Sequence, residues 1–144
     1  MKILFICRGN VGRSQIAEAF FNEFAAGKHI ASSCGTITYT KEGESRHGQK
    51  LKDLKAAGEV VNSLKELGLD ISENKIEQIT EEVVRDAAKV VVMAEKDTLP
   101  DYITNNSKFI YWDIKDLKGL NQKDTNKIRD EISEKVKGLI NELT

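Results

Sequence analysis

The sequence predicts one doubly wound α/β domain over residues 1–144, a central four-stranded parallel sheet flanked by helices, with a phosphate-binding loop after the first strand. Three features lead there. The apolar runs Ile3–Ile6 and Val90–Met93 are short, branched and unalternating, the pattern of strands buried on both faces of a parallel sheet. Segments with helical spacing separate the strand-like runs, and alternating strands and helices make the crossovers that parallel pairing needs. The first crossover opens on Cys7-Arg8-Gly9-Asn10-Val11-Gly12-Arg13-Ser14, a strand-to-helix loop whose backbone N–H groups and helix dipole suit an oxyanion.

In chain order, Ile3–Ile6 is the first strand. Ser14 is a good N-cap residue, and Ile16, Ala17, Phe20, Phe21 and Phe24 recur at helical spacing behind it, so a helix is predicted from about Ser14 to Ala26, closed by Gly27. Ile30–Cys34 reads as a second strand. From Ile37 to Gly58 the chain is polar, which suits a surface flap, a lid or a partner surface. Leu51, Leu54, Val61 and Leu64 also share a helical face that would extend the next helix backwards through Gly58. That helix ends near Leu67 at Gly68. Ile76–Ile79 is an extended link, and Thr80 caps a short helix with Glu81 and Glu82 in its first turn, where the dipole favours acids. After the Val90–Met93 strand, a helix is predicted near Asp97–Ile103 with Pro100, the only proline, in its first turn. Phe109–Trp112 is the last strand. Ile128, Ile132, Val136, Leu139, Ile140 and Leu143 line one face of a final helix.

Composition narrows the function. A net charge of −1 argues against a dominant nucleic-acid or membrane role. No apolar stretch approaches a membrane span, and the short N-terminal apolar run lacks the shape of a signal peptide, so a cytoplasmic address is expected. Two cysteines, Cys7 and Cys34, without a Cys-x-x-Cys form neither a disulfide framework nor a zinc site, and no metal or cofactor is expected.

The loop carries the chemistry. A helix N-terminus and a neighbouring guanidinium both favour the thiolate of Cys7, the form that acts as a nucleophile. Arg13 supplies a planar fork able to hold two oxygens of a phosphoryl group while charge shifts during transfer. Gly9 and Gly12 remove Cβ atoms that would crowd the anion or forbid a tight backbone, and Asn10 tolerates the left-handed conformation. There is no Gly-Lys-Ser/Thr and no Gly-x-Gly-x-x-Gly, so the nucleotide-binding loops fit badly. A phosphoryl group on sulfur also requires an acid to protonate the leaving oxygen and then to activate water. Asp116 and Asp113 both follow the last strand and are the candidates, Asp116 being the first choice.

At these residues the chain resembles the low-molecular-weight protein tyrosine phosphatases and the arsenate reductases of the same fold, whose loop reads Cys-x-Gly-Asn-x-Cys-Arg-Ser. Cys7, Gly9, Asn10, Arg13 and Ser14 match, and Gly12 replaces the second cysteine. Ser33-Cys34-Gly35-Thr36 is similar to the family's Ser-Ala-Gly-Thr, Gly68-Leu69-Asp70 to its Gly-Ile-Asp, and Tyr111-Trp112-Asp113-Ile114-Lys115-Asp116 to the reductase-type His-Trp-Gly-x-Asp-Asp-Pro. The resemblance implies Cys7 as nucleophile, Arg13 and the amides of Arg8, Gly9, Asn10, Val11, Gly12 and Ser14 as the phosphate cradle, Ser14 as hydrogen-bond partner of the thiolate, and Asp116 as general acid. It implies inhibition by phosphate-like oxyanions and, as substrate, a phosphorylated protein or a small aryl phosphate.

Departures from the pattern bear on specificity. Leu117 stands where the family has proline after the acid, and Lys118 and Gly119 stand where phosphatases carry aromatics. Tyr39 falls where the family often has a tryptophan at the slot mouth, and Val11 occupies the position that filters substrates in relatives. By resemblance Asn10 bonds toward the position of Cys34 and toward that of Asn74, which would bring Cys34 near enough to cap an oxidised Cys7; the alternative is a small buried residue on a strand. The thioredoxin-coupled reductases need two cysteines after the Val90–Met93 strand, and Met93-Ala94-Glu95-Lys96 has none. A phosphatase is therefore expected. A reductase relaying through Cys34 or an external thiol, and a silent phosphate-binding module, are the alternatives.

Overall fold

The computed structural model describes residues 1–143. Its sheet is four-stranded and parallel, with β1 (Lys2–Cys7), β2 (Ile30–Gly35), β3 (Lys89–Val92) and β4 (Phe109–Tyr111) in the order β2-β1-β3-β4. The expected fold is thus observed. Pairing runs Ile6 beside Cys34 on one flank of β1 and beside Val92 on the other. Because the chain leaves β1 to reach neighbours on both of its sides, a crevice opens at the carboxyl end of β1, the place where ligands bind such sheets. Cys7 is the last residue of that strand.

Alternation along β1 divides the interior into two layers. Ile3, Phe5 and Cys7 face a core built with Ile16, Phe20 and Phe21 of α1 (Arg13–Ala25), Val60 and Leu64 of α2 (Gly58–Lys65), and Ile132, Val136 and Leu139 of the helix Gln122–Leu143. Leu4 and Ile6 face a smaller core with Cys34, Ile79, Ile103 and Val84 of α3 (Glu81–Asp86). The C-terminal helix, here α4, buries the predicted apolar stripe. Its Arg129 reaches back to the Ser63 carbonyl at 2.9 Å and the Glu66 carboxylate at 2.7 Å, tying α4 to α2.

Helix ends differ from expectation in instructive ways. Ser14 does not cap α1: the helix begins at Arg13, Gly12 is the N-cap, and the Ser14 hydroxyl is drawn away to Cys7. At the other end Ala26 takes the left-handed cap with φ 49°, followed by Gly27 at φ 87°. Thr80 caps α3 as predicted, accepting from the Val83 amide. The helix predicted near Asp97–Ile103 does not form. Only a 3-10 turn, Lys96–Thr98, is present, and Pro100 follows it because its ring disfavours a helical residue just before it.

The polar segment after Ile37 is neither a free flap nor a backward extension of α2. Tyr39 and Ser45 bridge to make a small turn, and Gly48, Leu51 and Lys52 donate to the carbonyls of Ile76, Asn74 and Ser72. Two 3-10 turns, Leu51–Asp53 and Lys55–Ala57, then lead into α2. Glu73 fixes this edge from outside, where hydrogen bonds from Lys50 and Lys52 hold its carboxyl down at about 2.

Candidate active site

The loop between β1 and α1 is supported from beneath by a closed hydrogen-bond network. Asn10 sits at φ 57°, the left-handed conformation anticipated for it, and its backbone amide donates to Cys7 Sγ at 3.3 Å. Its side chain is fully buried and fully satisfied. The two Nδ2 hydrogens go to Ser14 Oγ at 2.7 Å and Ser33 Oγ at 3.0 Å, and Oδ1 accepts from the Glu77 amide at 2.8 Å. Since Ser14 Oγ accepts from Asn10, its own proton is free to point at Cys7 Sγ, 3.0 Å away, where it supports a thiolate.

Asn10 and Ser14 therefore lie under the loop and hold its shape, whereas Arg8, Gly9, Val11 and Gly12 face the crevice. The expected bonds from Asn10 toward Cys34 and Asn74 are replaced. Ser33 takes the first place, and Asn74 instead donates to Gln15, which bonds the Asn10 carbonyl.

Arg13 is buried, and its fork is fixed by the ends of two strands. Nη1 donates to the Met93 carbonyl at 2.7 Å and the Ile114 carbonyl at 3.0 Å, and Nη2 donates to Glu95 Oε1 at 2.9 Å. Asp116 Oδ1 lies 4.0 Å from the same Nη2, with its side chain half exposed at 52%. Cys7, Arg13 and Asp116 thus meet at one crevice of about 1150 Å3, which Tyr39 also lines. Asp113, the rival acid, is exposed and outside that lining.

Two departures from the family loop prove to be one feature. A Cβ on Gly12 would lie 2.7 Å from Leu117 Cδ1, so the space the glycine leaves is filled by the residue next to Asp116. Leu117 is buried there, and it pins the acid-bearing turn to the loop. Gly12→Ala is expected to cost about 1–3 kcal/mol of stability through overpacking. Added to Leu117→Ala, which makes the room, it is expected to cost almost nothing further. Denaturant unfolding of the four proteins checks the cycle. Gly9 has no comparable neighbour, since a Cβ there would meet only Val11 at 3.9 Å. Gly35 is the closer fit: a Cβ would come within 3 Å of the Arg8 carbonyl, the Asn10 amide and Thr38 Cγ2, which explains a glycine at the end of β2.

Besides Gln15, three polar residues around the site escaped the sequence reading. Glu95 follows β3 at the carboxyl edge, the position logic that singles out Asp116. Glu18 stands four residues after Ser14 on the same face of α1 and accepts a hydrogen bond from Ser33, so the network ends on a carboxyl that burial pushes up. Gln78 receives the Thr38 amide and hydroxyl, with no local pattern to announce it.

Cys34 lies on the face of the sheet opposite Cys7, packed with Leu4, Ile6 and Val92, and burial pushes its thiol well above the usual range. A Cys7–Cys34 bond would require β2 to turn over. Among the described residues no cluster of three His, Cys, Asp or Glu side chains is placed to hold a metal ion, and no helix is long and apolar enough to cross a membrane.

This geometry has relatives. The family model of the low molecular weight phosphotyrosine protein phosphatases matches residues 2–144. A protein of Staphylococcus saprophyticus named arsenate reductase 2 is 30% identical over 136 residues, covering 94% of this chain and 92% of its own. A low molecular weight protein tyrosine phosphatase from T. tengcongensis superposes with a TM-score of 0.81 at 28% identity over 99% of both chains. An arsenate reductase in the phosphate binding state gives 0.78 at 26%, covering 99% of this chain and 98% of that one. The chain therefore belongs to the low molecular weight phosphotyrosine protein phosphatase family, in which enzymes named phosphatases and enzymes named arsenate reductases share one fold.

Proposed function

We propose that the chain is a cytoplasmic, cysteine-dependent phosphatase that hydrolyses phosphomonoesters, with protein phosphotyrosine as the substrate, through a phosphocysteine intermediate. Cys7 Sγ attacks phosphorus and the ester P–O bond breaks. Asp116 gives its proton to the departing phenoxide, then takes one from the water that displaces sulfur from phosphorus. Loop amides and Arg13 hold the equatorial oxygens, and Ser14 stabilises the thiolate as it leaves. Val11 and Tyr39 are the apolar and aromatic surfaces for the substrate ring.

The observation that carries this reading is the Asp116 carboxylate beside Arg13 at the crevice of Cys7. A carboxyl group placed there competes with an anionic ligand for Arg13, so it makes little sense in a silent phosphate-binding module and good sense in proton transfer. The test is the rate of p-nitrophenyl phosphate hydrolysis against pH. Asp116→Asn is expected to lower kcat about a hundredfold and to remove the limb that reports the acid, while Asp113→Asn leaves both unchanged. Equal effects at the two positions would reject the assignment.

The likeness to arsenate reductase 2 favours a second reading, reduction of arsenate bound at Cys7. That chemistry needs another thiol to receive the oxidised sulfur, and Cys34 faces away from Cys7. An external small thiol is then required. Arsenate-dependent oxidation of supplied dithiothreitol, with no phosphatase turnover, would select this reading.

A further inference from the structure

The crevice is larger than one phosphorylated ring requires, since about 1150 Å3 exceeds the roughly 300–1000 Å3 typical of sites for small ligands. Its charge is also unlike that of the chain. Overall the protein carries 22 basic and 23 acidic residues, yet the crevice is lined by six cations against Glu42, Glu59 and Asp116. One cation, Arg13, is buried under the phosphoryl site and is already held by Glu95. The other five, Arg8, Lys41, Arg46, Lys55 and Lys118, make no ion pair among the described residues.

Their positions give this excess a direction. Lys41 lies within the small turn bridged at Tyr39 and Ser45, Arg46 follows it directly, and Lys55 lies in the 3-10 turn before α2, so the long polar segment builds one wall. Lys118 comes from the turn that carries Asp116, and Arg8 from the loop itself. All but the half-buried Arg46 are exposed, and the wall is tied by the bonds of Gly48, Leu51 and Lys52 to residues 72–76, the segment that leads to the bridge of Gln78 with Gly35 at the end of β2. Fixed cations around a site whose phosphoryl pocket is already served by Arg13 recruit further negative charge on the same ligand.

We propose that the segment from Tyr39 to Glu59, with Arg8 and Lys118, is a subsite for acidic residues flanking the phosphotyrosine of a protein substrate. The inference rests on the phosphatase reading and adds to it the class of sequence preferred. An extended peptide suits an open crevice whose walls come from three separate segments, because successive side chains can meet different cations while the ring stands in the slot.

The experiment compares kcat/KM for two phosphotyrosine peptides identical except for glutamates or glutamines on both sides of the phosphorylated residue. The protein is expected to prefer the acidic peptide about tenfold, and the ratio is expected to fall toward one as ionic strength rises from about 0.05 M to about 0.5 M. In Lys41→Glu/Lys55→Glu the ratio is expected to drop to one or below, while Lys135→Glu, an exposed charge reversal on α4 outside the crevice, keeps the wild-type ratio. A ratio near one in the wild type, or one that survives the double reversal, overturns the subsite while leaving the phosphatase reading intact. No turnover of either peptide or of p-nitrophenyl phosphate overturns that reading and the subsite with it.

Discussion

Cys7→Ser is expected to lower kcat for p-nitrophenyl phosphate by at least about ten-thousandfold, while the protein stays folded and still binds phosphate-like oxyanions. The loss follows from the nucleophile. A serine hydroxyl in this loop has no base beside it able to take its proton, since its neighbours Ser14 and the Asn10 amide both act as donors to the sulfur. The same two groups donate to oxygen as readily as to sulfur, so the loop keeps its shape. Val11, Gly12 and Arg13 keep their places, and oxyanion affinity should change by less than tenfold. Rate and binding are thereby separated in one variant. Single-turnover kinetics, phosphate titration and thermal unfolding check the three parts. Residual turnover within a hundredfold of wild type would remove sulfur from the chemistry.

Much of this site was legible because it is local. A buried strand, a glycine-containing loop and an amphipathic helix lie within residues 2–25, so the pattern alone puts Cys7 and Arg13 at a helix start. Asp116 was legible for a different reason: in a doubly wound sheet, residues following strands converge at one edge, and the acid follows β4. What failed did so where one residue had two possible partners. Ser14 has the chemistry of a cap, but the sulfur and Asn10 outcompete the helix amides for it. Pro100 suits a first turn, yet its ring holds Leu99 extended, so Ile103 reaches the core without a helix.

Contacts between distant segments were the least legible. Nothing in the sequence joins Gly12 to Leu117, although each looked like a separate loss from the family pattern, of a cysteine and of a proline. Together they make a packed contact that fixes the acid-bearing turn by shape. The long polar segment misled similarly. Its lysines suggested a solvated flap, but its pairing partner at residues 72–78 is irregular, and only the short link from Ile76 reads as extended.

Arg13 is where stability and chemistry are most closely joined, and its variants are expected to separate them. On the proposed mechanism Arg13→Ala removes the fork for the transferring phosphoryl group, an expected loss of about a thousandfold or more in kcat. It also leaves the Met93 and Ile114 carbonyls without their donor and Glu95 without its cation, so roughly 2–4 kcal/mol of stability should go as well. Arg13→Lys restores a buried positive charge for Glu95 but not the fork, because one ammonium cannot reach two carbonyls, a carboxylate and an oxyanion from one stem. It is therefore expected to recover at least half of the lost stability while kcat stays at least about a hundredfold below wild type. Denaturant unfolding and p-nitrophenyl phosphate turnover, run on the same preparations, make the comparison. If the lysine variant turned over within tenfold of wild type, charge alone would suffice. The two carbonyl bonds that aim the guanidinium would then serve the fold and not the transfer.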